Sequence, residues 1–311
     1  MNATVLSLPG AEGLADRLRQ RLTARAGAVT LHAFPDGERR VRITADVEGQ
    51  AVVLAAELDR PEDKMLPLLF AAATARDLGA ASVGLLAPYL PYMRQDERFG
   101  PGEGVSARYF AGLLSDAVDW VVTVDPHLHR IHDLSAVFTV PIETVHAAPA
   151  LAAWIRAHVP QPLVLGPDAE SIQWVEEIAR LAGAPYAVLA KRRLGDREVG
   201  IELPDLDAHA GRRPVLVDDM ISTGTTMAAA LRLLDRGGWP PAVCLAVHAV
   251  FASGAYRMLR ASGAATIATC NTIPHPSNAI PVDNLLAAAV ARRLGTAAAP
   301  ASLLAAGAPS G

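Results

Sequence analysis

The chain has 311 residues, half of them hydrophobic, two cysteines and a formal net charge of −4. That length leaves room for two domains with substantial cores, and the mild acidity excludes an extended nucleic-acid surface. No apolar run is long enough to span a membrane, residues 1–10 lack the regions of a secretory signal, and Cys244 and Cys270 show no metal spacing, so the expectation is a reduced, cytoplasmic α/β protein.

In chain order, residues 5–8 read as a short strand and residues 10–25 as an amphipathic helix. Residues 29–32 lead into FPDGERRVRI, where Pro-Asp-Gly marks a turn and Val41 and Ile43 resume strand alternation. By itself this is a hairpin with a charged tip, and Phe34 reads most simply as the cap of a core. Residues 52–56 and 83–87 read as apolar strands around a helix at 64–78, with Leu66, Leu69 and Phe70 on its inner face. Strands alternating with helices indicate a parallel sheet covered on both faces.

The polar, glycine-bearing segment from Arg94 to Glu103 follows the strand at 83–87. Arg94 can pair with phosphate or stack on a purine, and Gln95 can hydrogen-bond a base edge. A strand at 120–124 then runs into DPHLHRIHDL. His127 and His129 alternate beside Asp125, which suits either a metal or an ordinary polar strand end.

Residues 138–155 read as a crossover between domains, and residues 151–158 as the helix that opens the second. A strand at 163–165 leads to Asp168, a carboxylate suited to a metal, a ribosyl hydroxyl or a helix N-cap. After a strand at 186–190, KRRLGDREVGIEL carries Lys191, Arg192 and Arg193. Such a cluster is either solvated or placed to meet the charge of phosphoryl transfer.

The most informative stretch is PVLVDDMISTGTTMAAALRLLDRGG, residues 214–238. Val215–Val217 read as a buried strand, with Asp218 and Asp219 at its carboxyl end, where open α/β sheets place ligands. Ser222, Thr223, Gly224, Thr225 and Thr226 form a hydroxyl-rich turn before a helix at 227–236. Backbone N–H groups and the helix dipole favour an anion there. The adjacent carboxylates suit the vicinal hydroxyls of a sugar or a hydrated Mg²⁺. Phosphate and ribose side by side describe a ribose phosphate.

Further strands are expected at 243–250 and 266–270, and helices at 254–261 and 282–293. The loop at 272–277 faces the ligand side without an assigned role. The tail from Gly295 has the low complexity of a disordered segment.

Residues 214–238 resemble the PRPP-binding loop of the phosphoribosyltransferase-type fold. Residues 1–290 are similar to the ribose-phosphate pyrophosphokinases, with FGPGEGVSAR closest to their archaeal-type branch. The resemblance implies two tandem phosphoribosyltransferase-like domains, each a mainly parallel sheet flanked by helices, at 1–145 and 146–294, with 295–311 as a tail. It implies Mg²⁺-dependent diphosphoryl transfer from ATP to ribose 5-phosphate. Arg94, Gln95 and Asp96 match the ATP loop. Phe34, Asp36 and Glu38 match a stretch that reaches a neighbouring subunit's nucleotide, which implies a homo-oligomer. His127 and Asp168 match metal-holding positions, and Lys191 and Arg193 the catalytic pair. Asp218, Asp219 and Ser222 to Thr226 match the ribose 5-phosphate site.

The chain departs from the family pattern at Glu170 and Ser171, where small residues usually leave room for a diphosphate, and at Ser222 and Thr225. Three alternatives stay open, the first of them supported by Glu170 and Ser171. They are a weakly active regulatory homologue, a kinase acting on another sugar phosphate, and a transferase that consumes PRPP.

Overall fold

The computed structural model describes residues 3–128, 130–131, 133–167, 171–193 and 199–296. These fall into two units, one drawn from Met1–Thr123, Leu128–Val145 and Asp283–Gly311, the other from Val124–His127 and His146–Val282.

The first unit is built on a seven-stranded sheet. Its strands are β1 (Ala3–Ser7), β2 (Arg25–Ala33), β3 (Arg39–Ile43), β4 (Ala51–Ala55), β5 (Ser82–Leu86), β6 (Trp120–Val124) and β7 (Ile142–Val145), and their spatial order is β3-β2-β1-β4-β5-β6-β7. The central strands are continuous apolar runs because both faces are covered: Val52, Val53 and Leu54 are fully buried. The pairings among β2, β1, β4, β5 and β6 are parallel, while the edge pair β2–β3 is antiparallel and joined by the Pro-Asp-Gly turn. β7 lies within the stretch expected to be a crossover.

Helix α1 (Glu12–Leu22) follows β1, α2 (Glu62–Asp77) follows β4, and α3 (Ser106–Ala117) follows β5. The expected inner face of α2 is wrong. Leu66 and Phe70 are 60% and 49% exposed, while Leu68, Ala71, Ala72 and Ala75 are buried. Alanines let this helix lie close to the sheet, so the bulkier side chains turn outward.

The second unit holds β8 (Pro162–Gly166), β9 (Tyr186–Val188), β12 (Arg213–Met220), β13 (Val243–His248), β14 (Thr266–Cys270) and β15 (Asn278–Ile280) in the order β15-β14-β13-β12-β8-β9. All five pairings are parallel. Its helices are α4 (Ala148–His158), α5 (Ile172–Ala182), α6 (Thr225–Arg236) and α7 (Ala255–Ala261). The expected strand at 186–190 divides: β9 joins the sheet, while β10 (Ala190–Arg193) pairs antiparallel with β11 (Val199–Glu202) as a separate ribbon. Cys244 and Cys270 are buried thiols, and burial pushes Cys244 up to about 12.

The last helix, α8 (Asp283–Leu294), sits with the first unit, where the sequence assigns it to the second domain. Arg17 Nε donates to Asp283 Oδ1 at 2.7 Å, and Arg293 Nε to Glu143 Oε2 at 3.1 Å. Most of the expected disordered tail, residues 297–311, lies outside the described residues.

A cavity of about 140 Å³ beyond the end of β4 is lined by Leu8, Leu31, Leu58, Pro67, Arg39, Lys64 and Glu57. Burial, with Asp59's charge nearby, pushes the Glu57 carboxyl up to about 7 from 4.5. Between those values the folded chain holds a proton that the unfolded chain lacks, so stability falls as pH rises through the window. Glu57→Gln is therefore expected to raise Tm by about 2–4 °C at pH 8 and to change it little at pH 5. Equal effects at both pH values would contradict this assignment.

Candidate active site

β12 is longer than the sequence suggests, running to Met220, so Asp218 and Asp219 belong to the strand's last residues. Both are half-buried, and Asp219 N–H donates to Asp218 Oδ1 at 3.0 Å. The chain then turns: Ile221 N–H donates to His248 O at 3.1 Å and Ala252 N–H to Ser222 O at 3.1 Å, which tie the turn to the end of β13 and the segment after it.

Helix α6 starts at Thr225, two residues earlier than expected, with Gly224 as its N-cap. No side chain caps this end, so its first N–H groups face the turn. Thr223 Oγ1 and Thr225 Oγ1 are 3.1 Å apart, bringing two hydroxyls to the same place. Gly224 has φ +70°, and a Cβ there would lie 3.3 Å from Leu259 and from Met258 Cε. Adopting that conformation costs a non-glycine residue about 1–2 kcal/mol. Gly224→Ala is accordingly expected to weaken binding of a phosphate ester to the protein about tenfold, read by calorimetry. Unchanged affinity would separate the turn from phosphate binding.

His127 belongs to the same unit as this turn, and its Nδ1 contacts Asp219 Oδ2. Burial would raise the Asp219 carboxyl, but the His127 hydrogen bond and charge hold it below its ordinary value. A carboxylate on one ring nitrogen is the arrangement that orients a metal-ligating histidine. The half-buried carboxylates nearby are hard oxygen donors suited to Mg²⁺, which keeps waters and substrate phosphates in its shell. Asp168, the other expected metal residue, lies outside the described residues, as do His129 and Glu170.

Ser171 is described. It begins α5, and its Oγ lies 2.3 Å from where a Cβ on Gly166 would sit, so the end of β8 must be glycine for the chain to close over it.

Lys191 and Arg193 lie on β10, paired in register with Ile201 and Val199. Residues 194–198, the ribbon's connection, lie outside the described residues. β11 packs beside α6, so the ribbon is rooted next to the helix that follows the hydroxyl-rich turn.

In the first unit, the hairpin tip is closed by Phe34 N–H to Glu38 O at 2.8 Å and Glu38 N–H to Asp36 Oδ1 at 3.0 Å. Phe34 is 40% exposed, and Asp36 and Glu38 are exposed with it. Phe34 therefore does not cap a core, as its simplest reading had it. Its ring meets His32 edge-on at 5.0 Å and leaves the tip as an aromatic and acidic projection.

Arg94 is exposed, while Gln95 Oε1 accepts from Ser106 Oγ at 3.0 Å at the start of α3. Asp96 is the third residue expected at the nucleotide. It is buried, and its Oδ2 accepts the Arg130 N–H at 2.6 Å. Arg130 Nε also reaches Glu97 Oε2 at 2.7 Å, and its guanidinium lies over the Phe99 ring at 5.6 Å. Asp96 thus fixes the loop, and Arg130 is its anchor. Sequence reasoning missed Arg130 because its partners lie about thirty residues upstream.

The model for the N-terminal domain of ribose phosphate pyrophosphokinase matches residues 3–117, and a phosphoribosyl transferase domain model matches residues 142–284. A ribose-phosphate pyrophosphokinase of Methanopyrus kandleri is 37% identical over 279 residues, covering 89% of this chain and 94% of that protein. One from Saccharolobus solfataricus is 34% identical, covering 84% of this chain and 90% of that protein. The crystal structure of phosphoribosylpyrophosphate synthetase from Mycobacterium smegmatis matches with TM-score 0.82 at 27% identity, covering 95% of this chain and 99% of that one.

Proposed function

The chain belongs to the ribose-phosphate pyrophosphokinase family, and from that premise we propose that it transfers the diphosphoryl group of ATP to the anomeric hydroxyl of ribose 5-phosphate, giving PRPP and AMP. The observation that carries this reading is the Asp218–Asp219 pair followed directly by a glycine-capped helix start with clustered threonines. It offers two carboxylates to ribose hydroxyls and backbone N–H groups to a phosphate.

The anomeric oxygen forms a bond to the β-phosphorus, the bond from that phosphorus to the bridging oxygen breaks, and AMP leaves with the oxygen. The hydroxyl proton passes to water. The sugar is the nucleophile, so the protein's work is positioning and charge stabilisation. Ser222 to Thr226 hold the 5-phosphate, and Asp218 and Asp219 hold the ribose hydroxyls. Lys191 and Arg193 meet charge that builds on the transferred group. Arg94 and Gln95 hold the nucleotide, with Asp96 keeping their loop in place. His127 and Asp168 are the proposed holders of Mg²⁺, which when bound offsets the charge of the ATP oxygens.

The exposed tip formed by Phe34, Asp36 and Glu38 suits a contact to ATP on a neighbouring copy of the chain, which makes the active form a homo-oligomer. The domains proposed from the resemblance are residues 1–145 and 146–294, with α8 at the end of the second packed in the first unit. No helix among the described residues is long and apolar enough to cross a membrane. Turnover tests the reading: AMP and PRPP must appear in equal amounts from ATP and ribose 5-phosphate. Formation of AMP without PRPP would overturn it.

A further inference from the structure

We propose that His248, a histidine to which no role attaches above, is a positioning residue that sets the His127–Asp219 pair through the backbone of Asp125. His248 ends β13 and is fully buried, opposite Met220 in the β12–β13 register and so next to Asp219. Its Nε2 lies 3.1 Å from the Asp125 carbonyl, and its Nδ1 lies 2.9 Å from Thr272 Oγ1.

The proton assignment follows from the partners. A carbonyl oxygen only accepts, so Nε2 carries the proton, and in a neutral ring this leaves Nδ1 as an acceptor facing the Thr272 hydroxyl. Thr272 Oγ1 is also 2.9 Å from the Val247 carbonyl, so its single proton has two acceptors within reach.

Asp125 is worth holding. It has φ +28°, a sparsely populated conformation for a side chain that branches only beyond Cβ. Its carboxylate is engaged on the other side: Oδ2 accepts the Ala147 N–H at 2.8 Å, and Oδ1 lies 2.9 Å from His146 Nδ1. The residue is thus clamped between the start of α4 and the buried ring of His248. Two residues later His127 reaches Asp219. The clamp sets where β6 releases the chain, and that sets the direction of the His127 imidazole. The role of the pair in catalysis rests on the function proposed above, whereas the clamp itself can be measured in the unliganded protein.

The experiment compares His248→Gln, which keeps an N–H donor near the Nε2 position, with His248→Phe, which fills the volume without one. In the unliganded protein at one pH, the ¹⁵N signals of the His127 ring are expected to move in the Phe variant and to stay near wild type in the Gln variant. kcat is expected to fall about 10–100-fold in the Phe variant and to recover to within about threefold of wild type in the Gln variant. A histidine serving only as filling gives the reverse order, because Phe packs the site better. That order, or unmoved His127 signals in the Phe variant, overturns the proposal. If His248→Phe does not fold, the wild-type tautomer and the pair Thr272→Val and Thr272→Ser decide. The Nε2–H tautomer with rescue of the His127 signals by Ser supports the clamp, and the Nδ1–H tautomer overturns it. Loss of kcat for all substrates in wild type, with the His127 signals behaving as described, would overturn the proposed function and leave the clamp standing.

Discussion

Lys191→Ala is expected to lower kcat by about 10²–10³-fold while KM for ribose 5-phosphate stays within about twofold. The argument rests on where charge appears. On the proposed function the 5-phosphate belongs to the turn at 222–226, on a different element from Lys191. Negative charge that builds as the β-phosphorus passes to the sugar oxygen then calls for a cation from another element. Lys191 is placed on β10, in a ribbon rooted beside α6, and is the residue proposed for that role. Lys191→Arg keeps the charge but changes its shape from a compact ammonium to a planar fork, so partial activity is expected. Unchanged kcat in Lys191→Ala would remove the catalytic role, and a large rise in KM alone would turn it into ground-state binding.

Asp219→Asn is expected to reduce kcat/KM for ribose 5-phosphate by about 10²–10³-fold. The substitution preserves shape and removes charge from a residue that contacts His127 and is proposed to hold a ribose hydroxyl. A neutral amide can still accept one hydrogen bond, yet it cannot anchor the imidazole or balance its positive form. The stability effect has a defined sign. A depressed carboxyl adds stability above its unfolded-state value, near 3.9, and loses it as pH falls through the folded value. The stability difference between wild type and Asp219→Asn is therefore expected to shrink in acid. Denaturant unfolding at pH 7 and pH 3 measures it, and a difference that grows in acid would contradict the assigned ionisation.

What the sequence made legible was local. A strand, two acids, a hydroxyl-rich turn and a helix are all set by residues within reach of one another, and the order of the elements at 213–236 follows from them. The hairpin tip at 34–38 is legible for the same reason, since Pro-Asp-Gly encodes its own turn.

Features that depend on distant partners were hidden. The contact between His127 and Asp219 joins residues 92 apart. The inward turn of Asp96 depends on Arg130, and the exposure of Leu66 and Phe70 depends on how closely an alanine-rich face approaches the sheet. The ribbon β10–β11 reads in sequence as a charged excursion because β10's pairing partner lies beyond residues 194–198. α8 was assigned by proximity in sequence, whereas its partner Arg17 lies at the other end of the chain.

The measurement that bears most directly on the central claim is a ³¹P NMR time course of the purified full-length chain with Mg²⁺, ATP and ribose 5-phosphate. The account predicts that the three ATP resonances decay together as AMP and the two coupled diphosphate resonances of PRPP grow in equal proportion. ATP that persists unchanged while both substrates still bind would contradict it, and would identify the chain as a binding homologue that does not catalyse the transfer.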